Sequence, residues 1–150
     1  VYKRQLCTYV DNETLYKACD IISLHMPLLE STRHFVNAET IAKMKDGVTI
    51  INCARGELMN IPDMIRGIET QKIGALALDV FDKEDGIYHE NRRDDILSNR
   101  DMAYLRQFPN VIMTQHMAFY TDAAVQSMVF CGIEGLCDFA RTGHTATELV

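Results

Sequence analysis

The chain has 150 residues, of which 47% are hydrophobic, which is enough for one compact domain. Its 15 basic and 21 acidic residues give a formal net charge of -6 without a basic run, so nucleic acid is not an expected partner. No continuous apolar run of about 20 residues and no signal peptide is visible, so we expect no membrane span and a cytoplasmic location. The five cysteines lack zinc-type spacing and predict reduced, mostly buried thiols.

Short apolar runs separated by helical patterns organise the first two thirds of the chain. Four runs predict β-strands: CDIISLHMP at 19–27, GVTIINCA at 47–54, GALALDVF at 74–81 and NVIMTQH at 110–116. Their continuous apolarity is typical of a parallel sheet that is covered on both faces. Between them, Asn37 and Asn60 are expected N-caps, and Pro62 fits the first turn of a helix. The alternation predicts βαβ units and therefore part of a doubly wound α/β sheet.

The later part of the chain is less regular. Residues 82–109 are more polar and predict a loop followed by a helix from about Asp94 to Gln107. Residues 121–143 predict one long amphipathic helix that departs from the βα rhythm. Its apolar face comprises Ala124, Val125, Met128, Val129, Ile133, Leu136 and Phe139.

Chemically capable side chains follow the predicted strands. Ligands of doubly wound sheets bind beyond the carboxyl ends of the strands. Four residues fall there: Arg55, Asp79, Glu84 and His116. An arginine binds a small carboxylic acid bidentately, and a histidine donates or accepts a proton near neutral pH. A glutamate beside the histidine favours its protonated form, so this set could polarise a ketone for a hydride donor such as nicotinamide.

Three segments carry a resemblance to a known family. INCARGELMN at 51–60, ALALDVFDKED at 75–85 and VIMTQHMAFYT at 111–121 resemble signature segments of NAD-dependent D-2-hydroxyacid dehydrogenases, among them the bacterial D-lactate dehydrogenases. Several motifs in one order at matching spacing are far more specific than any one alone. The resemblance implies a Rossmann-type NAD-binding domain at 1–119. It also implies a C-terminal helix and tail at 120–150 that return to the substrate domain.

The resemblance also implies a role for each matching residue. Arg55 would bind the carboxylate of a 2-oxo acid, His116 would be the general acid or base, and Glu84 would pair with His116. Asp82 and Asp85 remain alternatives to Glu84, because the whole stretch is acidic. The cofactor cleft would be lined by Met26, Pro27, Thr32, Cys53, Ala54, Arg55 and Asp79, and the substrate would also meet Phe119 and Tyr120.

Some family features are missing from the chain. No G-x-G-x-x-G motif occurs, and neither does the ribose-reading acidic residue that follows it. We therefore expect a C-terminal fragment that is inactive by itself and that does not reveal NAD or NADP preference. The full-length form is expected to be a homodimer that acts on a small 2-oxo acid.

Other functions stay open on the sequence alone. The preferred reaction is pyruvate to D-lactate, but glycerate or another 2-hydroxy acid is an alternative. A non-catalytic NAD-binding module of the sensor or corepressor type uses the same fold. A metal site of His116, Asp79 and Glu84 is disfavoured, because Arg55 would repel the metal; we predict no metal.

Overall fold

A computed structural model describes residues 7–84, 86–88, 91 and 99–146. The chain divides into two compact units, one ending at His116 and the other beginning at Met117. In the first unit the helices and strands are α1 (Asn12–Ala18), β1 (Ile21–Leu24), α2 (Ala38–Lys43), β2 (Val48–Asn52), α3 (Ile61–Glu69), β3 (Ile73–Leu78), α4 (Arg100–Leu105) and β4 (Val111–Met113). Short 3-10 turns occur at Glu30–Thr32 and Gly56–Leu58.

The four strands form one parallel sheet in the order β1-β2-β3-β4, as the alternating pattern predicts. Leu24 pairs with Asn52, Asn52 with Leu78, and Leu78 with Met113. Each of these residues ends its strand, so the four carboxyl ends lie level with one another. The loops that carry the predicted site residues therefore leave the sheet at a single edge.

Side-chain caps explain where the helices begin. The Asn37 side chain accepts hydrogen bonds from two backbone N–H groups of α2, and Asn60 accepts one from Asp63 at the start of α3. Both predicted N-caps are thus confirmed. Helix α1 was not predicted from the sequence, although Asp11 caps it by accepting from the Thr14 N–H at 2.7 Å. At seven residues, α1 is too short to show a clear helical period.

The core lies between the sheet and its helices. It includes Leu24, Val36, Ile50, Leu58, Met64, Leu76, Leu78 and Leu105, all nearly inaccessible to solvent. The expectation of a sheet covered on both faces is wrong for the outer strands β1 and β4 of the described sheet, because Ile21 is 62% exposed and Ile112 is 66% exposed, whereas Ile22 is 5% exposed. As an edge strand of the described sheet, β1 alternates between buried and exposed residues.

The cysteines differ from the prediction in their exposure. All five are free thiols, but Cys7, Cys53, Cys131 and Cys137 are exposed, and Cys19 is intermediate. The expectation of buried thiols is therefore wrong. Cys53 lies in a loop after β2, and two others lie on a helix without buried residues.

That helix, α5 (Asp122–Thr142), forms the second unit and confirms the predicted long helix. Thr121 caps its start, and Gly143 ends it in the left-handed conformation at φ 75°. With 21 residues and a window of mean hydropathy 1.2, α5 meets the length and composition of a membrane span, contrary to our expectation. This criterion is weak by itself, since long helices of soluble proteins also meet it.

The helix predicted near residues 94–107 is found in part. The structure has α4 from Arg100 to Leu105, and the Asn99 side chain caps it by accepting from the Met102 N–H. Residues 92–98 lie outside the described residues.

Candidate active site

The loop after β2 presents Arg55 to solvent. Asn52, the last residue of β2, is fully buried, and its side chain holds the backbone of Ala54 and Arg55. The Arg55 guanidinium donates a hydrogen bond to the Ala54 carbonyl at 2.7 Å. Within the described part of the chain, no carboxylate lies within ion-pair distance of it. An exposed cation without an acidic partner is suited to binding an external anion.

Gly56 joins this loop to the loop after β3. A Cβ atom at position 56 would lie 2.1 Å from the Phe81 carbonyl carbon and 2.3 Å from the Asp82 nitrogen. Contacts this short are impossible, and backbone atoms cannot rotate away as a side chain can. The backbone after Arg55 therefore packs directly on the loop that leads to Glu84.

Glu84 and His116 form a close polar pair at this edge. The Glu84 Oε1 atom lies 2.5 Å from His116 Nδ1, and Glu84 Oε2 accepts a hydrogen bond from the Phe81 N–H at 2.9 Å. Both carboxylate oxygens are engaged, which orients the imidazole. Of the three acidic candidates in the sequence, the structure places Glu84 against the ring; Asp85 lies outside the described residues.

The backbone of His116 is also held in an unusual conformation. Its φ is 55°, in the left-handed region that few residues other than glycine adopt. Its N–H donates to the Asp79 carbonyl at 2.7 Å, which continues the parallel ladder past the end of β4. Backbone strain of this kind is typical of functional positions and persists only where neighbouring contacts hold it.

Asp79 is 4% exposed and needs a partner to remain charged. Thr114 supplies one, since its hydroxyl donates to Asp79 Oδ1 at 2.5 Å. The Asp79 N–H also donates to the Asn52 carbonyl at 3.0 Å. Sequence reasoning missed Thr114 and Asn52, and the only signal was a polar residue at the end of an apolar run.

The predicted cofactor residues occupy the neighbouring loops. After β1, Met26 is partly buried and Pro27 is exposed, and the Thr32 hydroxyl donates to the Pro27 carbonyl at 2.8 Å. It also accepts from the Leu29 N–H at 2.8 Å, so Thr32 closes this loop. After β2, Ala54 is partly buried and Cys53 is exposed.

Cys53 is electrostatically coupled to the site. Partial burial of the sulfur, followed by the Asp79 charge, raises the pKa of the Cys53 thiol. The residue is nevertheless exposed overall. Both effects favour the neutral thiol over the thiolate.

Phe119 and Tyr120 belong to the second unit. Their side chains are 44% and 64% exposed, and their rings meet edge to face with centroids 6.0 Å apart. Their position beside the substrate stays a prediction. Among the described residues, no group of three or more His, Cys, Asp or Glu side chains could hold a metal ion.

The parallel sheet, its connecting helices and the polar groups at its carboxyl edge define the class of α/β dinucleotide-binding domains. Residues 1–118 match the family described as D-isomer specific 2-hydroxyacid dehydrogenase, NAD binding domain. The chain belongs to this family, which confirms the resemblance and the predicted fold and cofactor class.

Relatives of known description support the assignment. An aromatic 2-oxoacid reductase of Clostridium sporogenes is 41% identical over 147 residues, which cover 98% of this chain and 44% of that protein. A D-lactate dehydrogenase of Lactobacillus delbrueckii subsp. bulgaricus is 43% identical over 122 residues, which cover 81% of this chain and 37% of that protein. The chain therefore spans less than half the length of these relatives.

Solved structures agree with the sequence relatives. A D-lactate dehydrogenase from Sporolactobacillus matches 99% of this chain and 45% of its own, with a TM-score of 0.93 and 31% identity. The NAD-complexed D-isomer specific 2-hydroxyacid dehydrogenase of Lactobacillus delbrueckii ssp. bulgaricus matches 98% of this chain and 44% of its own, with a TM-score of 0.87 and 31% identity.

Proposed function

We propose that the protein containing this chain is an NAD-dependent oxidoreductase that interconverts a small 2-oxo acid and its D-2-hydroxy acid. The observation that carries this proposal is the placement of Arg55, with no acidic partner among the described residues, and the Glu84-bound imidazole of His116 after neighbouring parallel strands. Pyruvate and D-lactate are the preferred pair. We further propose a cytoplasmic homodimer.

Arg55, His116 and Glu84 have different roles in the reduction. Arg55 binds the substrate carboxylate with two parallel hydrogen bonds and orients the adjacent carbonyl. His116 donates a proton to the carbonyl oxygen, and Glu84 holds the imidazole in the orientation that this transfer requires. Because Glu84 engages Nδ1, Nε2 is the nitrogen that exchanges the proton with the substrate. In the oxidative direction His116 accepts that proton.

The residues at this edge suit a nicotinamide. The Asp79 carboxylate is a hydrogen-bond acceptor of the kind that a carboxamide N–H requires, and Met26 and Ala54 offer partly buried apolar atoms. Bound NADH would supply the hydride for the carbonyl carbon, so that one 2-oxo acid, one NADH and one proton would give one D-2-hydroxy acid and one NAD⁺. We propose that Pro27, Thr32 and Cys53 complete the cofactor cleft.

The size of the substrate side chain is the main alternative within this function. A relative 41% identical to this chain is described as an aromatic 2-oxoacid reductase. This observation favours 2-oxo acids larger than pyruvate as a second candidate. Glycerate-type acids are a further candidate class of substrate.

The test is a spectrophotometric assay of the longest polypeptide that the gene encodes. We expect NADH oxidation with pyruvate or phenylpyruvate and a product of D configuration, and no turnover by residues 1–150 alone. Cofactor binding without turnover of any 2-oxo or 2-hydroxy acid would instead support a non-catalytic NAD-binding module.

A further inference from the structure

We propose that Asn52 is a positioning residue that sets the place of Arg55 for substrate binding; the inference rests on the proposed function of Arg55. Asn52 ends β2 and is 0% exposed, although its side chain is an amide. Burying an amide is costly unless its donor and its acceptor are both satisfied. At this position the loop that carries Arg55 satisfies both.

The two ends of the amide act on consecutive residues of that loop. Asn52 Nδ2 donates to the Arg55 carbonyl at 2.8 Å, and Asn52 Oδ1 accepts from the Ala54 N–H at 3.0 Å. The backbone carbonyl of Asn52 meanwhile accepts from the Asp79 N–H at 3.0 Å. The amide therefore ties Arg55 to the rigid sheet rather than to another loop.

The contact between the Asn52 amide and the Arg55 loop also affects Glu84 and His116 indirectly. Gly56 follows Arg55 and packs on the backbone of Phe81, whose N–H donates to Glu84. Glu84 in turn holds His116. A displacement of the loop at Arg55 would therefore alter the carboxylate-binding group first and the imidazole second.

The test variant is Asn52→Asp in the longest polypeptide that the gene encodes. The carboxylate keeps the size and the acceptor of the amide but loses the donor to the Arg55 carbonyl. We expect the KM for pyruvate to rise about 10-fold or more, because a small displacement of Arg55 weakens its hydrogen bonds to the substrate carboxylate. The KM for NADH should rise less than the KM for pyruvate, because the Ala54 N–H keeps its acceptor in this variant.

A second readout separates positioning from general destabilisation. The parent protein should prefer pyruvate over its amide, because only pyruvate has the carboxylate that Arg55 binds. In Asn52→Asp this preference should fall by about the factor by which the KM rises. A merely destabilised enzyme would lose active molecules, which lowers apparent kcat and leaves both the KM values and the preference unchanged.

Asn110→Asp is the matched control. Asn110 Nδ2 donates to the Gly74 carbonyl at 2.8 Å, a bond of the same kind at the opposite edge of the sheet. This variant should lower the unfolding temperature without changing the KM for pyruvate or the preference over the amide. If Asn52→Asp behaves like Asn110→Asp, the positioning role of Asn52 is overturned.

The proposed function can be refuted independently of the positioning role of Asn52. If the parent protein reduces no 2-oxo acid, that function is refuted. Hydrogen exchange in Asn52→Ala then tests whether Asn52 anchors the loop that carries Arg55. Faster exchange confined to residues 53–58 would support the amide as the anchor of the Arg55 loop, and unchanged exchange there would overturn it. The same measurement applies if Asn52→Asp does not fold.

Discussion

At the residue scale, the site is defined by which polar atoms find partners inside the chain. Both Glu84 oxygens and the Asp79 carboxylate are engaged by described residues, whereas among those same residues Arg55 meets only a backbone carbonyl. The carboxylates therefore orient other groups, and the guanidinium is the group directed at a ligand. Two substitutions test this division.

Glu84→Gln should lower kcat by about 100-fold or more, because the amide keeps only one of the two acceptor oxygens that engage His116 Nδ1 and the Phe81 N–H and therefore no longer fixes the imidazole. The KM for the 2-oxo acid should change little. Steady-state kinetics of the longest encoded polypeptide measure both. Glu69→Gln is the control, since Glu69 also accepts a side-chain hydrogen bond, from the Tyr104 hydroxyl at 2.8 Å, on the other side of the domain. An undiminished kcat in Glu84→Gln would contradict the role of Glu84.

The rate at which Cys53 is alkylated should depend on the charge of Asp79. Because burial and the Asp79 charge raise the pKa of the Cys53 thiol, alkylation by iodoacetamide should be slow at pH 7.5 and should still be accelerating above about pH 8.5, the ordinary pKa of a free cysteine. Asp79→Asn removes the charge, lowers that pKa and should speed alkylation at pH 8. Mass spectrometry of the labelled peptide gives the rate. Equal rates in Asp79→Asn and in the control Asp138→Asn would contradict the coupling.

At the scale of elements, two loops after neighbouring strands act as one unit. The loop after β2 carries Arg55, and the loop after β3 carries Glu84. They touch through the backbone at Gly56, so the position of each loop constrains the position of the other. This contact accounts for a glycine directly after the arginine, independently of any turn requirement.

Gly56→Ala should destabilise the protein by about 1–3 kcal/mol, as overpacking against immovable atoms does, and should also lower kcat/KM. Gly132→Ala is the matched control, because a Cβ there meets no heavy atom within 4 Å. Gly132 lies inside α5, so alanine should stabilise by about 0.5–1 kcal/mol. Chemical unfolding measures both changes, and a Gly56→Ala protein as stable and active as the parent would refute the contact.

At the scale of the whole molecule, the alternation of apolar runs and caps was enough to predict the parallel sheet, because each of these signals is local. The left-handed backbone of His116 was not predictable, since it is held by Asp79 at the end of a neighbouring strand. The amide of Asn52 contacts Ala54 and Arg55, only two and three residues further on, but its complete burial depends on the assembled sheet. The exposed thiols were mispredicted for a related reason: composition does not say which face of a helix remains uncovered.

The apolar side chains of α5 make the location and assembly of the protein testable. Leu136 is 73% exposed and Ile133 is 53% exposed, yet a D-lactate dehydrogenase from Sporolactobacillus matches 99% of this chain, α5 included. We expect the longest encoded polypeptide to sediment as a dimer and to stay unbound when mixed with lipid vesicles. Flotation with the vesicles would contradict a non-membrane protein.

The most direct test of the account is the effect of Arg55→Ala on 2-oxo acid reduction at saturating NADH. Losing a charged, bidentate contact to the substrate should lower kcat/KM by about 100- to 1,000-fold, mainly through the KM of the acid. The activity on the corresponding 2-oxo amide should change little. An Arg55→Ala enzyme with the KM and kcat of the parent would contradict the central claim that Arg55 binds the substrate carboxylate.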